Sequence, residues 1–290
     1  MGVTLAEKAP AKINLTLRVR GRRADGYHDL ESLVVFADLA DKLTLQPANQ
    51  ERLEITGPFA SASGPVAENL VLRACAAIRD RFGDLKGGHF LLEKNIPVAA
   101  GLGGGSADAG AALRLVANAN GLALDDDRLM SAARAVGADV PVCLDPRPRI
   151  MRGVGELLSQ PLHLPPLPAV LVNPGVPLAT RDVFAKVTIE QKERPSGDVP
   201  RELDGLIEFL RQDVNDLTVA ASACAPVVAE VLHALQRLPA VKLARMSGSG
   251  ATCFALFGTL AEAAAAAQQL SGRKTWWVRT ATLGSGVGAS

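Results

Sequence analysis

Aromatic residues are scarce in this chain: eight Phe, two Trp and a single Tyr among 290 residues. An excess of charge is missing too, since 31 Lys and Arg stand against 30 Asp and Glu, for a formal net charge of +1. A nucleic-acid surface needs a basic patch interleaved with stacking rings, so both shortages argue against RNA or DNA as a partner. Cysteine is sparse as well. Cys75, Cys143, Cys224 and Cys253 lie far apart with no Cys-x-x-Cys pair, which predicts buried thiols in a reducing compartment rather than disulfides or zinc ligands. No uncharged apolar run is long enough to cross a bilayer, and Glu7 and Lys8 stand where a signal peptide would be apolar. The expectation is a soluble cytoplasmic protein, large enough for one domain or two, with no membrane partner.

What the chain does have is glycine in one place. Ile96-Pro97-Val98-Ala99-Ala100-Gly101-Leu102-Gly103-Gly104-Gly105-Ser106-Ala107 opens into an Ala- and Leu-rich stretch that stops at Asn120-Gly121. Without Cβ atoms, the backbone at Gly101, Gly103, Gly104 and Gly105 can adopt positive φ and approach a ligand closely. A helix beginning near Ser106 would point its free N–H groups back into the loop, a site for an anion such as a nucleotide phosphate. This is neither a Walker A loop, which ends in Gly-Lys-Ser/Thr, nor a dinucleotide fingerprint, which follows the first strand with different spacing. A glycine cluster also describes a flexible surface loop. The flanking apolar residues and the immediate helix start favour phosphate binding.

Period-two alternation marks residues 12–19, with Ile13, Leu15, Leu17 and Val19 on one face and Lys12, Asn14, Thr16 and Arg18 on the other. Arg18 reads as solvated; Lys12 and Asn14 face either solvent or a cleft. Short strands are predicted over 33–36, 42–46, 52–56 and 89–93, and helices over 68–81 and 128–136. Asp125, Asp126 and Asp127 read as partners of a helix dipole rather than as a metal cluster. Asp139, in Gly137-Ala138-Asp139-Val140-Pro141, sits in apolar surroundings as either a turn residue or a working one. After the Pro-rich passage 161–168, the order strand 169–173, helix 226–238, strands 241–246 and 252–257, helix 260–270 and strand 275–280 is the split βαββαβ plan of a ferredoxin-like domain, with an insertion after its first strand. Residues 191–199 of that insertion are polar and expected to be mobile. Ser247-Gly248-Ser249-Gly250 is either a plain hairpin loop or a second close approach of backbone to ligand.

Three spaced segments, Pro10-Ala11-Lys12-Ile13-Asn14-Leu15, the loop 101–106 and Ser247-Gly248-Ser249-Gly250-Ala251, together resemble the GHMP kinase superfamily of galactokinase, homoserine kinase, mevalonate kinase and phosphomevalonate kinase. Arg23-Ala24-Asp25-Gly26-Tyr27-His28 and Gly137-Ala138-Asp139-Val140-Pro141 resemble the branch whose substrate is a cytidine diphosphate-linked methylerythritol. The resemblance implies an α+β, two-domain GHMP kinase fold: an N-terminal domain like ribosomal protein S5 domain 2 (1–163, ATP-binding and catalytic) and a C-terminal ferredoxin-like domain (164–290, substrate-binding). It implies ATP as co-substrate, Mg2+ accompanying it, and transfer of phosphate to the 2-hydroxyl in the non-mevalonate route to isoprenoid precursors.

Residue by residue, the resemblance makes Lys12 and Asp139 the catalytic pair, Asp139 as base and Lys12 as its electrostatic partner. It gives the ATP phosphates to Pro97, Val98, Ala99, Ala100, Gly101, Leu102, Gly103, Gly104, Gly105, Ser106 and Ala107. Substrate contacts fall to Asn14, Tyr27, His28, Thr180 and Phe184. Tyr27 can stack on a pyrimidine and His28 can hydrogen-bond its edge, although a Tyr-His pair beside a Gly turn is also common packing. The chain departs from the superfamily pattern at Val98, Ala99 and Ala100, where relatives often carry more glycine and where the loop entry is therefore stiffer. Ala107 replaces a second hydroxyl. No carboxylate stands out as a metal ligand.

Overall fold

The structure, a computed structural model, describes residues 3–189 and 198–284; positions 191–197 of the polar insertion lie outside them. In chain order the elements are β1 (Leu5–Asn14), β2 (Arg18–Arg22), β3 (His28–Pro47), β4 (Arg52–Thr56), α1 (Leu70–Phe82), β5 (Gly88–Glu93), α2 (Gly104–Ala119), α3 (Asp127–Val136), α4 (Val140–Leu144), β6 (Arg149–Gly153), β7 (Leu157–Leu158), β8 (Leu167–Asn173), α5 (Thr180–Phe184), α6 (Leu203–Arg211), α7 (Thr218–Cys224), α8 (Val227–Gln236), β9 (Leu243–Met246), β10 (Cys253–Leu256), α9 (Leu260–Leu270) and β11 (Trp277–Gly284). None of the described helices is long and apolar enough to cross a membrane.

Contacts divide these residues into two compact units. One holds the residues up to Lys12, Leu39–Val98 and Gly103–Pro146; the other holds Ile13–Asp38, Ala99–Leu102 and the described residues from Arg147 onward. In the first unit β4 pairs parallel with β5, and β5 pairs antiparallel with residues 42–47 of β3. Helices α1, α2, α3 and α4 pack on one another, and local chemistry sets where they start and stop. Asn69 caps α1 by accepting the Val71 N–H at 2.9 Å, and Gly83 ends it at φ 82°, a left-handed conformation that favours glycine. Asp126 caps α3 through the Arg128 N–H at 2.8 Å, so the acidic run does serve a helix start. The glycine-loop helix begins at Gly104, two residues earlier than Ser106.

In the second unit the strand order β11-β8-β10-β9, all neighbours antiparallel, is the ferredoxin-like arrangement that the element order predicts. Helix α8 packs on β9 and β10, and α9 on β8 and β11. Thr259 and Glu262 form a reciprocal capping box at the start of α9. The passage 161–166 carries no regular element before β8 begins. Within the insertion the structure adds α5, α6 and α7, which the sequence reading lacks.

Three expectations are corrected. The strands predicted over 33–36 and 42–46 are one strand, β3. The intervening polar residues Asp38 and Asp41 each find a partner, so the strand runs on: Asp38 Oδ1 accepts the Thr282 N–H at 3.0 Å and Asp41 pairs with Lys94. The strand predicted over 12–19 divides between β1 and β2, and every residue from Ala9 to Val19 is buried, on both faces. Arg18 is accordingly not solvated: it is 7% exposed, with Nε 2.7 Å from Asp213 Oδ2 and Nη1 3.2 Å from Glu31 Oε1. Arg18→Met takes this cation from a carboxylate in a dry site and is expected to cost about 3–5 kcal/mol, read from the urea midpoint; a loss below about 1 kcal/mol would refute the account. Finally, Cys75, Cys143 and Cys253 are buried as predicted, but Cys224 is half-buried; all four are free thiols.

Candidate active site

In the first unit the site grows from the start of α2. Gly103 is its N-cap residue, at φ 61°, ψ 19°, and offers no side chain to cap it. The first helical bond runs from the Ala107 N–H to the Gly103 carbonyl at 2.8 Å, so the amides of Gly104, Gly105 and Ser106 precede the intrahelical ladder and carry the positive end of the helix dipole. A Cβ built on Gly103 would lie 3.1 Å from Lys12 Cβ and 3.2 Å from its Cε. Only glycine lets the chain turn this closely against the lysine stem. Lys12 Nζ lies 2.8 Å from Asp139 Oδ2, with side-chain exposures of 5% and 34%. Two residues 127 positions apart thus form an ion pair with its ammonium buried and part of its carboxylate open.

Asp139 occupies the N-cap position of α4 but caps nothing with its side chain, which leaves the carboxylate to Lys12. The placement of α4 follows from α2. A Cβ on Gly110 would fall 2.5 Å from the Cys143 carbonyl oxygen, so the two backbones touch at that glycine. Arg114, four residues on along α2, donates from Nη1 to the Cys143 carbonyl at 2.8 Å, from Nη2 to the Lys8 carbonyl at 2.7 Å and from Nε to Glu7 at 2.9 Å. One guanidinium therefore ties α2, α4 and β1 together.

Beneath the first turn of α2 lies a group that the sequence reading missed. Lys94 Nζ contacts Asp41 Oδ2 and lies 2.7 Å from Asp108 Oδ2; the three residues are 0–3% exposed. Burial pushes the Asp108 carboxyl up, above the usual carboxylate range. In sequence the strand 89–93 leads directly into the glycine loop, and Asp108 is one of several polar positions of α2, with nothing local to mark its partners.

The second unit holds the middle of the loop and the remaining positions. Ala99 adopts φ 51°, a left-handed conformation rare for a residue with a Cβ. The Ala100 carbonyl accepts the Thr252 N–H at 3.1 Å. Ser247 Oγ donates to the Gly101 carbonyl at 2.9 Å and accepts the Asn14 N–H at 3.1 Å. A Cβ on Gly101 would meet the Ser247 carbonyl at 2.4 Å and the Gly250 carbonyl at 2.7 Å. The 247–250 segment is thus both a hairpin loop between β9 and β10 and the seat of the glycine loop. Asn14 donates from Nδ2 to Ser32 Oγ at 2.7 Å, while its Oδ1, although buried, has no hydrogen-bond partner among the described residues.

His28 and Phe184 stack with ring centroids 4.9 Å apart and planes 30° from parallel. Partial burial and the Arg22 cation nearby lower the imidazole pKa, favouring the neutral ring, which offers one donor and one acceptor. Tyr27, adjacent in sequence, is 63% exposed. Thr180 Oγ1 lies 2.9 Å from Ser249 Oγ. The structure therefore joins Lys12 with Asp139, His28 with Phe184, and Thr180 with the Ser247–Gly250 hairpin, each pair distant in sequence.

Comparison with known proteins places the chain in a family. Residues 69–145 match the GHMP kinases N terminal domain and residues 201–274 the GHMP kinases C terminal domain. The chain is 51% identical to the 4-diphosphocytidyl-2-C-methyl-D-erythritol kinase of Rhodopseudomonas palustris (strain BisB18), covering 97% of this chain and 95% of that protein. It is 52% identical to the protein of the same name from Bradyrhizobium diazoefficiens, over 96% of this chain and 98% of that one. A crystal structure of 4-(cytidine 5'-diphospho)-2C-methyl-D-erythritol kinase superposes with a TM-score of 0.78 at 37% identity, covering 97% of this chain and 99% of the other. The homoserine kinase of Cytophaga hutchinsonii shares the fold, at a TM-score of 0.73 and 19% identity, over 98% of this chain and 96% of the other. The chain is a kinase with the two-domain GHMP fold, and it belongs to the 4-diphosphocytidyl-2-C-methyl-D-erythritol kinase family.

Proposed function

We propose that the chain transfers the γ-phosphoryl group of ATP to the 2-hydroxyl of 4-diphosphocytidyl-2-C-methyl-D-erythritol, a step toward isoprenoid precursors by the non-mevalonate route, in the cytoplasm. The observation that carries this reading is the Lys12–Asp139 pair packed against Gly103 at the start of α2. In phosphoryl transfer the protein mainly aligns reactants and neutralises charge on the phosphoryl oxygens. Residues 97–107 hold the triphosphate, with the amides of Gly104, Gly105 and Ser106 on its oxygens. Asp139 accepts the hydroxyl proton as the oxygen attacks phosphorus, and ADP leaves. Lys12 stabilises the charge spread over the transferring group.

Substrate selection falls to Asn14, Tyr27, His28, Thr180 and Phe184. Asn14 Oδ1, without a partner among the described residues, suits a substrate hydroxyl, since a buried acceptor without a donor is costly until a ligand supplies one. The His28–Phe184 stack and the exposed Tyr27 ring suit a cytosine. We assign the ATP-binding and catalytic parts to residues 1–163 and substrate binding to 164–290 as a functional division, with His28, Tyr27 and Asn14 contributing from the first. Magnesium accompanies ATP on its phosphates. Among the described residues no group of three His, Cys, Asp or Glu side chains forms a metal cage, so no protein ligand and no step is assigned to it.

The test is turnover of ATP by the purified chain across a panel of alcohols. The expected result is phosphorylation of the cytidylylated methylerythritol, with homoserine and mevalonate inert. Turnover of either of those without a cytidylyl requirement, or turnover of none, would defeat the reading. His28→Ala should raise KM for the cytidylylated substrate about tenfold while KM for ATP stays within about twofold. Equal losses for both substrates would mean that the ring only supports the fold.

A further inference from the structure

Asp41, Lys94 and Asp108 come from three elements that meet under the loop: β3, the residue after β5, and the second turn of α2. Asp41 Oδ1 accepts the Asn95 N–H and, at 2.9 Å, the Ile96 N–H, the last two amides before Pro97 opens the loop. Its Oδ2 receives Lys94 Nζ, and the same ammonium reaches Asp108 beyond the loop's far end. A Cβ on Gly104 would stand 3.4 Å from Lys94 Nζ, so the ammonium lies directly under the first helical residue.

We propose that Asp41, Lys94 and Asp108 form a positioning clamp that ties the entry of the glycine loop to its exit and so holds the amides of Gly104, Gly105 and Ser106 in place for the ATP phosphates. The proposal rests on the functional reading above. Packing alone gives no reason for such a cluster, because buried charges cost more to desolvate than apolar side chains of the same size. Nor is it a balanced pair: two acids share one ammonium, and Asp108 Oδ1 has no partner among the described residues. What the cluster does achieve is a direct connection between chain on either side of residues 97–103. These are positioning residues; the phosphate contacts are the loop's own.

Asp108→Ala severs the tie to α2 yet leaves Lys94 balanced by Asp41, so no lone charge is stranded. Asp108→Asn keeps an acceptor at the same point. The expected result is that Asp108→Ala raises KM for ATP about tenfold, with kcat and KM for the alcohol within about twofold, while Asp108→Asn stays within about twofold of wild type throughout. Without ligand, amide hydrogen exchange across 97–106 should quicken about tenfold in Asp108→Ala and not in Asp108→Asn.

Unchanged ATP KM and unchanged exchange in Asp108→Ala would overturn the clamp. Equal damage in both variants, or a rise in both KM values together, would overturn it too. Should Asp108→Ala fail to fold, Asp108→Ser takes its place with the same expectations; failure of both to fold would mark a group needed by the whole unit and would also overturn it. A wild-type chain that does not bind ATP would defeat the functional reading instead, and the exchange measurement, which needs no ligand, would still decide the clamp.

Discussion

Asp139→Asn is expected to lower kcat by about 10²–10⁴, the usual contribution of a positioned general base, while KM for ATP stays within about twofold. The amide is nearly isosteric and can still accept a hydrogen bond from Lys12 Nζ through its oxygen, so the 2.8 Å contact has a replacement and α4 keeps its place. What it cannot do is take a proton. Because Asp139 does not cap α4 with its side chain, the substitution also spares the helix start. The exposed part of the carboxylate, on a side chain 34% open, is the part that would meet the alcohol. Steady-state kinetics with saturating ATP measure the loss. Turnover within threefold of wild type would remove the proton-acceptor role and leave positioning as the only work of the site.

Lys12→Met should lower kcat by about 10²–10³, the scale seen when one preorganised stabilising group is taken from a transition state. Methionine fills the volume of the lysine stem, so the contact with Gly103 is kept and the lost element is the charge. Asp139 remains partly hydrated, and the folding cost of losing its partner stays at about 1–3 kcal/mol. The double variant Lys12→Met with Asp139→Asn should be less impaired than the product of the two single losses, as for groups that act together. Full multiplicativity would mean that the two side chains serve separate steps. A Lys12→Met enzyme with normal kcat and a raised ATP KM would move Lys12 from the reacting centre to ground-state binding.

Much of the fold is legible because caps and stops are local. Gly83, Asp126 and Gly137 mark helix ends from chemistry within a few residues, and the structure ends α1 and bounds α3 to match, whereas the cap of α1, Asn69, lies inside the helix predicted over 68–81. The ferredoxin-like order is legible for a similar reason, since its two helices and four strands are distinct periodic patterns and the Ser-Gly-Ser-Gly turn marks the hairpin between the middle strands. The continuity of β3 is not, because the polar Asp38 and Asp41 are satisfied by Thr282 and Lys94, which arrive from elsewhere in the chain. Arg18 misled in the same way: period-two alternation assigns it to water, whereas Asp213, 195 residues away, and Glu31 make its burial tolerable. Helix α6 carries Leu203, Leu206, Ile207 and Leu210 at helical spacing and could have been found, whereas α7, short and built of small residues, has little periodicity to detect.

The glycine loop and the Lys12 and Asp139 segments could be picked out from sequence because close backbone approach and charges in apolar surroundings leave a compositional mark. That Lys12 and Asp139 touch could not be read from residue types. The pairing of His28 with Phe184 could not be read either, since nothing in the chain between them encodes their meeting. Nor could the cluster around Lys94, which only a packed interior reveals.

The bare contact at Gly110 makes α2 and α4 a single girder, bolted a second time by Arg114. The turn proposed for the phosphates sits on one limb of that girder and the proposed proton acceptor, Asp139, on the other. Their separation is therefore inherited from folding and need not be rebuilt in each catalytic cycle. A bulkier residue at position 110 would pry the limbs apart and shift Asp139 against the start of α2 while leaving both chemically intact.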